Sequence, residues 1–91
     1  MSSNESKRKF TAVDLIEGKN YRVIADFIDY DGLPHTVGES WSFAGHDFLP
    51  YDDGLTLYIV QDGKNSVFRM QWRPETQGAI IGEFSDFVEE L

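Results

Sequence analysis

Two apolar runs flank an Asp-Gly turn in the second half of the chain, and few folds accommodate that arrangement. Leu55-Thr-Leu-Tyr-Ile-Val60 and Val67-Phe-Arg-Met-Gln-Trp72 are rich in β-formers, and Gln61-Asp-Gly-Lys-Asn65 joins them. Asp-Gly supplies the left-handed backbone that a tight hairpin demands. The spacing therefore predicts a β-hairpin, with Phe68, Met70 and Trp72 facing one way.

More strand signals precede it. From Lys19 to Ile28, Tyr21, Val23, Ala25 and Phe27 alternate against Arg22, Ile24, Asp26 and Ile28, the period-2 pattern of a strand. Asp29-Tyr-Asp-Gly-Leu-Pro34 breaks it with turn chemistry. Ser40 to Ala44 alternates again, placing Trp41 and Phe43 together, and Gly45 to Asp53 reads as irregular. Thr11 to Gly18 predicts one or two helical turns, with Thr11 as N-cap and Gly18 as terminator. Pro74 suits the first position of a turn. Ile80, Phe84, Phe87, Val88 and Leu91 follow helical spacing, which predicts a helix from about Glu83 to the end. Residues 79–82 fit either a short strand or part of that helix.

Four or five strands and a terminal helix define a mainly β class. The expected architecture is a small SH3-like curled antiparallel sheet or barrel, with a short N-terminal helical turn and a C-terminal helix. Ninety-one residues make one domain. Residues 1–9 are expected to be a flexible polar tail and residues 10–91 the domain. Seven Phe, four Tyr and two Trp supply the core of so small a chain. Cysteine is absent, which excludes disulfides, thiolate nucleophiles and cysteine zinc sites and fits a cytoplasmic protein. The tail is followed by no apolar run of the kind a signal peptide or membrane span needs.

Charge narrows the partners. Eight Lys and Arg oppose sixteen Asp and Glu. Three of the bases and one of the acids lie before Phe10, so the folded part holds five against fifteen, a balance of −10. Such a surface repels nucleic acid and anionic membranes and attracts basic proteins. The same charge also serves solubility alone.

Gly18-Lys-Asn-Tyr-Arg-Val23, Gly38-Glu-Ser-Trp-Ser-Phe43 and Pro50-Tyr-Asp-Asp-Gly-Leu55 carry a G-x-x-Y-x-V, a G-E-x-W-x-F and a P-Y-x-x-G-L pattern. Over residues 15 to 73 the chain thereby resembles a family of small bacterial domains of unknown function. The resemblance implies a bacterial origin and a β-barrel-like fold, and it brings no catalytic residues.

No constellation specifies a reaction. His35, His46 and Asp47 flank one strand and could converge on a metal, but zinc wants three or four ligands. Both histidines are expected on surface loops, and no metal or other cofactor is expected. Asp29-Tyr-Asp-Gly32 holds a fragment of a calcium loop, which turn chemistry explains as well. No serine sits in a nucleophile elbow and no glycine-rich phosphate loop is present. The chain is therefore expected not to be an enzyme.

Aromatic residues beside turn acids are the best candidate surface. Tyr30 lies among Asp26, Asp29 and Asp31, and Tyr51 beside Asp52 and Asp53. These seven residues are the expected partner-binding set, because interface hot spots favour Tyr and Trp. The expected function is an immunity- or antitoxin-type inhibitor, blocking a toxin with a basic active-site cleft. The alternative is an SH3-like accessory module recognising a peptide or assembly partner. A contiguous acidic face favours the first, and an aromatic groove with peripheral acids the second.

Overall fold

The computed structural model describes residues 9–50 and 53–91. A 3-10 turn, Ala12–Asp14, comes first and then β1, Asn20–Val23. Two short strands follow, β2, Phe27–Ile28, and β3, Pro34–His35. The long strands are β4, Ser40–Leu49, β5, Gly54–Gln61, and β6, Lys64–Gln71. The chain closes with α1, Gly78–Gly82, a second 3-10 turn, Phe84–Asp86, and β7, Val88–Glu90.

The main sheet is five-stranded and antiparallel, in the order β6-β5-β4-β1-β7, and β2 and β3 form a separate two-stranded ladder. The sheet is open, so the barrel alternative does not hold. The predicted hairpin is present. Its loop is the pair Asp62–Gly63, both at positive φ (54° and 75°), as a two-residue turn matched to strand twist requires. Thr11 caps the N-terminal turn: its hydroxyl accepts from Val13 N, and Asp14 reaches back to Thr11 N, a capping box.

Three expectations need correction. The strand anticipated over 19–28 ends at Val23, where the chain bends. Ile24 and Ala25 both donate to the Phe87 carbonyl, which closes the ladder, and the remainder pairs with β3 instead. The irregular stretch after Ala44 is strand as far as Leu49, because a bulge between Phe43 and Gly45 lets the ladder with β5 resume. Gly45, at φ 140°, provides the backbone for it. That extra residue swaps the faces: Trp41 and Phe43 point into the core, whereas Asp47 and Leu49 point outward.

The third correction is the C-terminal helix. Helix is confined to Gly78–Gly82, so residues 79–82 are helical, and Val88–Glu90 pairs with β1 as an edge strand. Ile81, Phe84 and Val88 are all buried. Of the residues spaced for a helical face, Phe84 and Val88 are buried, Ile80 and Phe87 are partly buried and Leu91 is exposed, so the spacing marked part of a buried face while the backbone took another path. Two glycines flank Ala79-Ile80-Ile81, and their poor helix propensity keeps the helix to one turn.

The core lies on one face of the sheet. Leu55, Leu57, Ile59, Phe68 and Met70 pack there against Ala12, Ile81 and Phe84. Ring contacts run through it from Tyr21 to Trp41 to Phe68, and from Phe27 to Phe84. Burial raises the Tyr21 hydroxyl above its ordinary value, and that oxygen accepts from Ile16 N at 3.0 Å, tying the N-terminal segment down. Among the described residues, no helix is long and apolar enough to cross a membrane.

Candidate functional site

The opposite face of β4–β5–β6 is uncovered, and apolar side chains lie on it. Tyr58 pairs across the ladder with Val67, and Thr56 with Arg69. Tyr58 is 37% exposed and Val67 45%. Where β5 meets β6, Tyr30, Leu49, Thr56 and Arg69 line a shallow depression open to solvent. An exposed apolar strip with a polar rim is how a contact surface looks before its partner arrives.

The polar rim is organised. Tyr58 donates its hydroxyl to Asp47 at 2.5 Å, which raises that hydroxyl above its ordinary value. Arg69 donates to Asp31 twice, from Nε at 3.0 Å and Nη2 at 2.5 Å, the bidentate fork that arginine is shaped for. The bond from Arg69 holds the Asp31 carboxyl below its ordinary 3.8 and raises the guanidinium in turn.

That pairing gives a pH expectation. A carboxylate with a lowered folded value stabilises above its unfolded value and loses that contribution as pH falls through the lowered one. Acidification below about pH 4 therefore releases Asp31 from Arg69 and lowers the protection of the 29–33 amides relative to their intrinsic exchange rates at the same pH. Arg69→Ala is expected to abolish this acid step; an unchanged step in the variant contradicts the assignment.

Tyr30 is set on this face by its loop. Its backbone N–H donates to the Arg69 carbonyl at 2.7 Å, so the loop leans on the outer edge of β6. The loop is held from beneath by a buried cluster. Asp29, 2% exposed, accepts through Oδ1 from Asp31 N (2.9 Å) and Leu33 N (3.0 Å). Its Oδ2 lies 2.9 Å from His35 Nε2, and His35 Nδ1 lies 3.0 Å from Glu39 Oε2. His35, 5% exposed, packs between Phe27 and Phe68.

This placement corrects part of the expected surface. Asp29 is a core anchor and presents nothing to a partner. His35 is likewise buried, whereas His46 is exposed as expected. Asp26 is exposed and accepts from Val37 N. Asp31 is paired with Arg69, and Asp53 with Arg73. Tyr51 and Asp52 lie outside the described residues. Of the expected set, Tyr30, half exposed, and Asp31 belong to the uncovered face. The expected set left out Tyr58 and Val67 because β5 and β6 carry apolar residues on both faces, and Leu49 because the stretch after Ala44 reads as irregular. No metal-ligating group of three or more His, Asp or Glu occurs among the described residues, and His35, His46 and Asp47 form none.

A family model described as "Domain of unknown function (DUF3601)" matches residues 2–91. The chain belongs to that family. Among solved structures it is similar to an integron cassette protein from the mobile metagenome of Vibrio cholerae. The identity is 25%, all of both chains is covered and the TM-score is 0.84. No curated protein matches it.

Proposed function

We propose that this domain is a non-enzymatic binding protein that engages another protein through the outer face of β4–β5–β6. The observation that carries the reading is the apolar strip of Leu49, Tyr58, Val60 and Val67 on the uncovered sheet face, joined by Tyr30 from the 29–33 loop. An antiparallel sheet with one solvated face ordinarily alternates apolar-in and polar-out. Four apolar side chains on the wet side run against that rule, and partner contact accounts for them. The distribution of acids supports an accessory interaction module. Asp29 is buried, and Asp31 and Asp53 are neutralised by arginines, so the loop offers no contiguous free acidic face.

A second reading keeps the immunity-type inhibitor, and the net charge of −8 favours it. An inhibitor of a basic-cleft toxin gains its association rate from that charge. Capture of partners from cells encoding the protein separates the two. For the module, Tyr58→Lys weakens the captured complex at least about tenfold, the scale of an interface hot spot, at low and high salt alike. For the inhibitor, salt alone disperses the complex. Binding that ignores both removes this face from consideration.

A further inference from the structure

β6 is the edge of the sheet, and its backbone directions can be read at two independent points. The two-residue hairpin pairs Lys64 with Gln61, which turns the Lys64 backbone toward β5. Alternation along an antiparallel strand then turns Asn65, Val67 and Arg69 away from it. The bond from Tyr30 N to the Arg69 carbonyl arrives from outside the sheet, as that alternation requires. Farther on, Gln71 N donates to the Gln77 side chain, and the Gln71 carbonyl accepts from Gln77 N. The protein's own loops thus cover the second half of this edge. At Asn65 and Val67 no described residue covers it.

Beyond Lys64 at the hairpin end, this open stretch lacks the devices that usually keep an edge from pairing. The register of β6 with β5 is continuous, without a bulge. Asn65-Ser-Val-Phe68 contains neither proline nor charge. Arg69, the next cation along, is held by Asp31. Beside the edge stand Val67 and Tyr58, ready to pack the outward side chains of an added strand.

Charge selects the occupant. Every described basic side chain except Lys64 sits in an ion pair with a carboxylate, so the net −8 is carried by the remaining acids. Two copies of this chain repel each other, whereas a basic segment is drawn in. We propose that the Asn65–Val67 edge of β6 receives an extended, basic segment of a partner protein as an added strand, with an apolar side chain of that segment against Val67 and Tyr58. Main-chain hydrogen bonds would supply affinity and the Val67–Tyr58 strip selectivity. The inference deepens the outer-face reading and rests on it.

A short synthetic peptide alternating valine and threonine, with lysine at both ends, is the probe. Titrated into the 15N-labelled protein, it is expected to shift the Asn65 and Val67 amides and to slow their hydrogen exchange at least about tenfold, since both N–H groups gain partners. The same peptide ended with glutamates binds more weakly, and salt narrows the difference. Val67→Pro deletes an outward N–H without touching the ladder to β5, and it is expected to abolish the response. Val67→Lys, a charge on the same edge, serves where the proline variant does not fold. Shifts confined to other strands, no response, or an unaltered response in the foldable variant overturns the proposal. So does protection of the Val67 amide before peptide is added, which would mean that a second copy already covers the edge. Tyr58→Lys tests the outer face separately, so failure of the edge alone is distinguishable from failure of the face.

Discussion

Replacing His35 by alanine is expected to lower stability by about 3 kcal/mol or more, the cost of stripping one partner from a buried charged cluster. The reason lies in what remains. Asp29 keeps its two backbone donors from Asp31 and Leu33, but its Oδ2 faces a void. Glu39 loses the same ring, and Phe27 and Phe68 lose the plate between them. For a domain of this size the change corresponds to a fall in midpoint of roughly 15 °C. The distinctive readout is local. The Tyr30 loop hangs on Asp29, so its amides should exchange faster in any variant that still folds. His35→Gln, which retains one polar contact, is expected to fall between. Thermal unfolding and exchange measured on the three proteins check both parts. An alanine variant as stable as the parent, with the loop still protected, contradicts the anchoring role.

Phe84→Ala is expected to cost about 3–5 kcal/mol, the range for emptying a fully buried phenylalanine site. Phe84 is wholly buried and meets Phe27 edge-on at a ring separation of 5.7 Å. It belongs to the segment that leaves α1, turns once and returns as β7 beside β1. Removing the ring opens the core where that segment closes it, and β7 loses the turn that aims it. Urea unfolding measures the loss. Leu91→Ala, at an exposed terminus, should change stability by no more than about 0.5 kcal/mol and serves as the control. Equal effects at the two positions would contradict the packing described.

The main sheet was legible in the sequence because its signals are local. The Asp-Gly pair forces one turn type, and alternation at Tyr21, Val23, Trp41 and Phe43 marks one face. The course of the last residues was not legible. Phe84 and Val88 belong to the helical spacing and are buried, yet β1 offers an unpaired edge and draws Val88–Glu90 into the sheet. Propensity yields to that tertiary contact. The bulge after Phe43 was hidden for a similar reason. Gly45 signals an irregularity, but only the partner strand decides whether the ladder resumes.

The candidate site was partly legible. Tyr30 stood out as an aromatic in an acidic turn and does lie on the uncovered face. The acids around it are placed by long-range partners that spacing does not reveal: Asp31 finds Arg69 far along the chain, and Asp29 finds His35 across the small β2–β3 ladder. One local signal was present. His35 and Glu39 are four residues apart and Asp29 is six residues before His35, around a turn that brings all three together. Tyr58 and Val67 could not be told from core residues, since strands with apolar residues on both faces do not declare which face is buried.

The central claim is that the outer face of β4–β5–β6 is the surface by which this domain works. Partner capture from cells that encode it, made in parallel with the parent, Tyr58→Lys and Glu83→Lys, tests that claim most directly. Glu83 is exposed and lies beyond α1, among elements that cover the other side of the sheet. The account predicts that the partner is lost with Tyr58→Lys and kept with Glu83→Lys, with all three proteins folded. A partner kept by the first variant and lost by the second would contradict it.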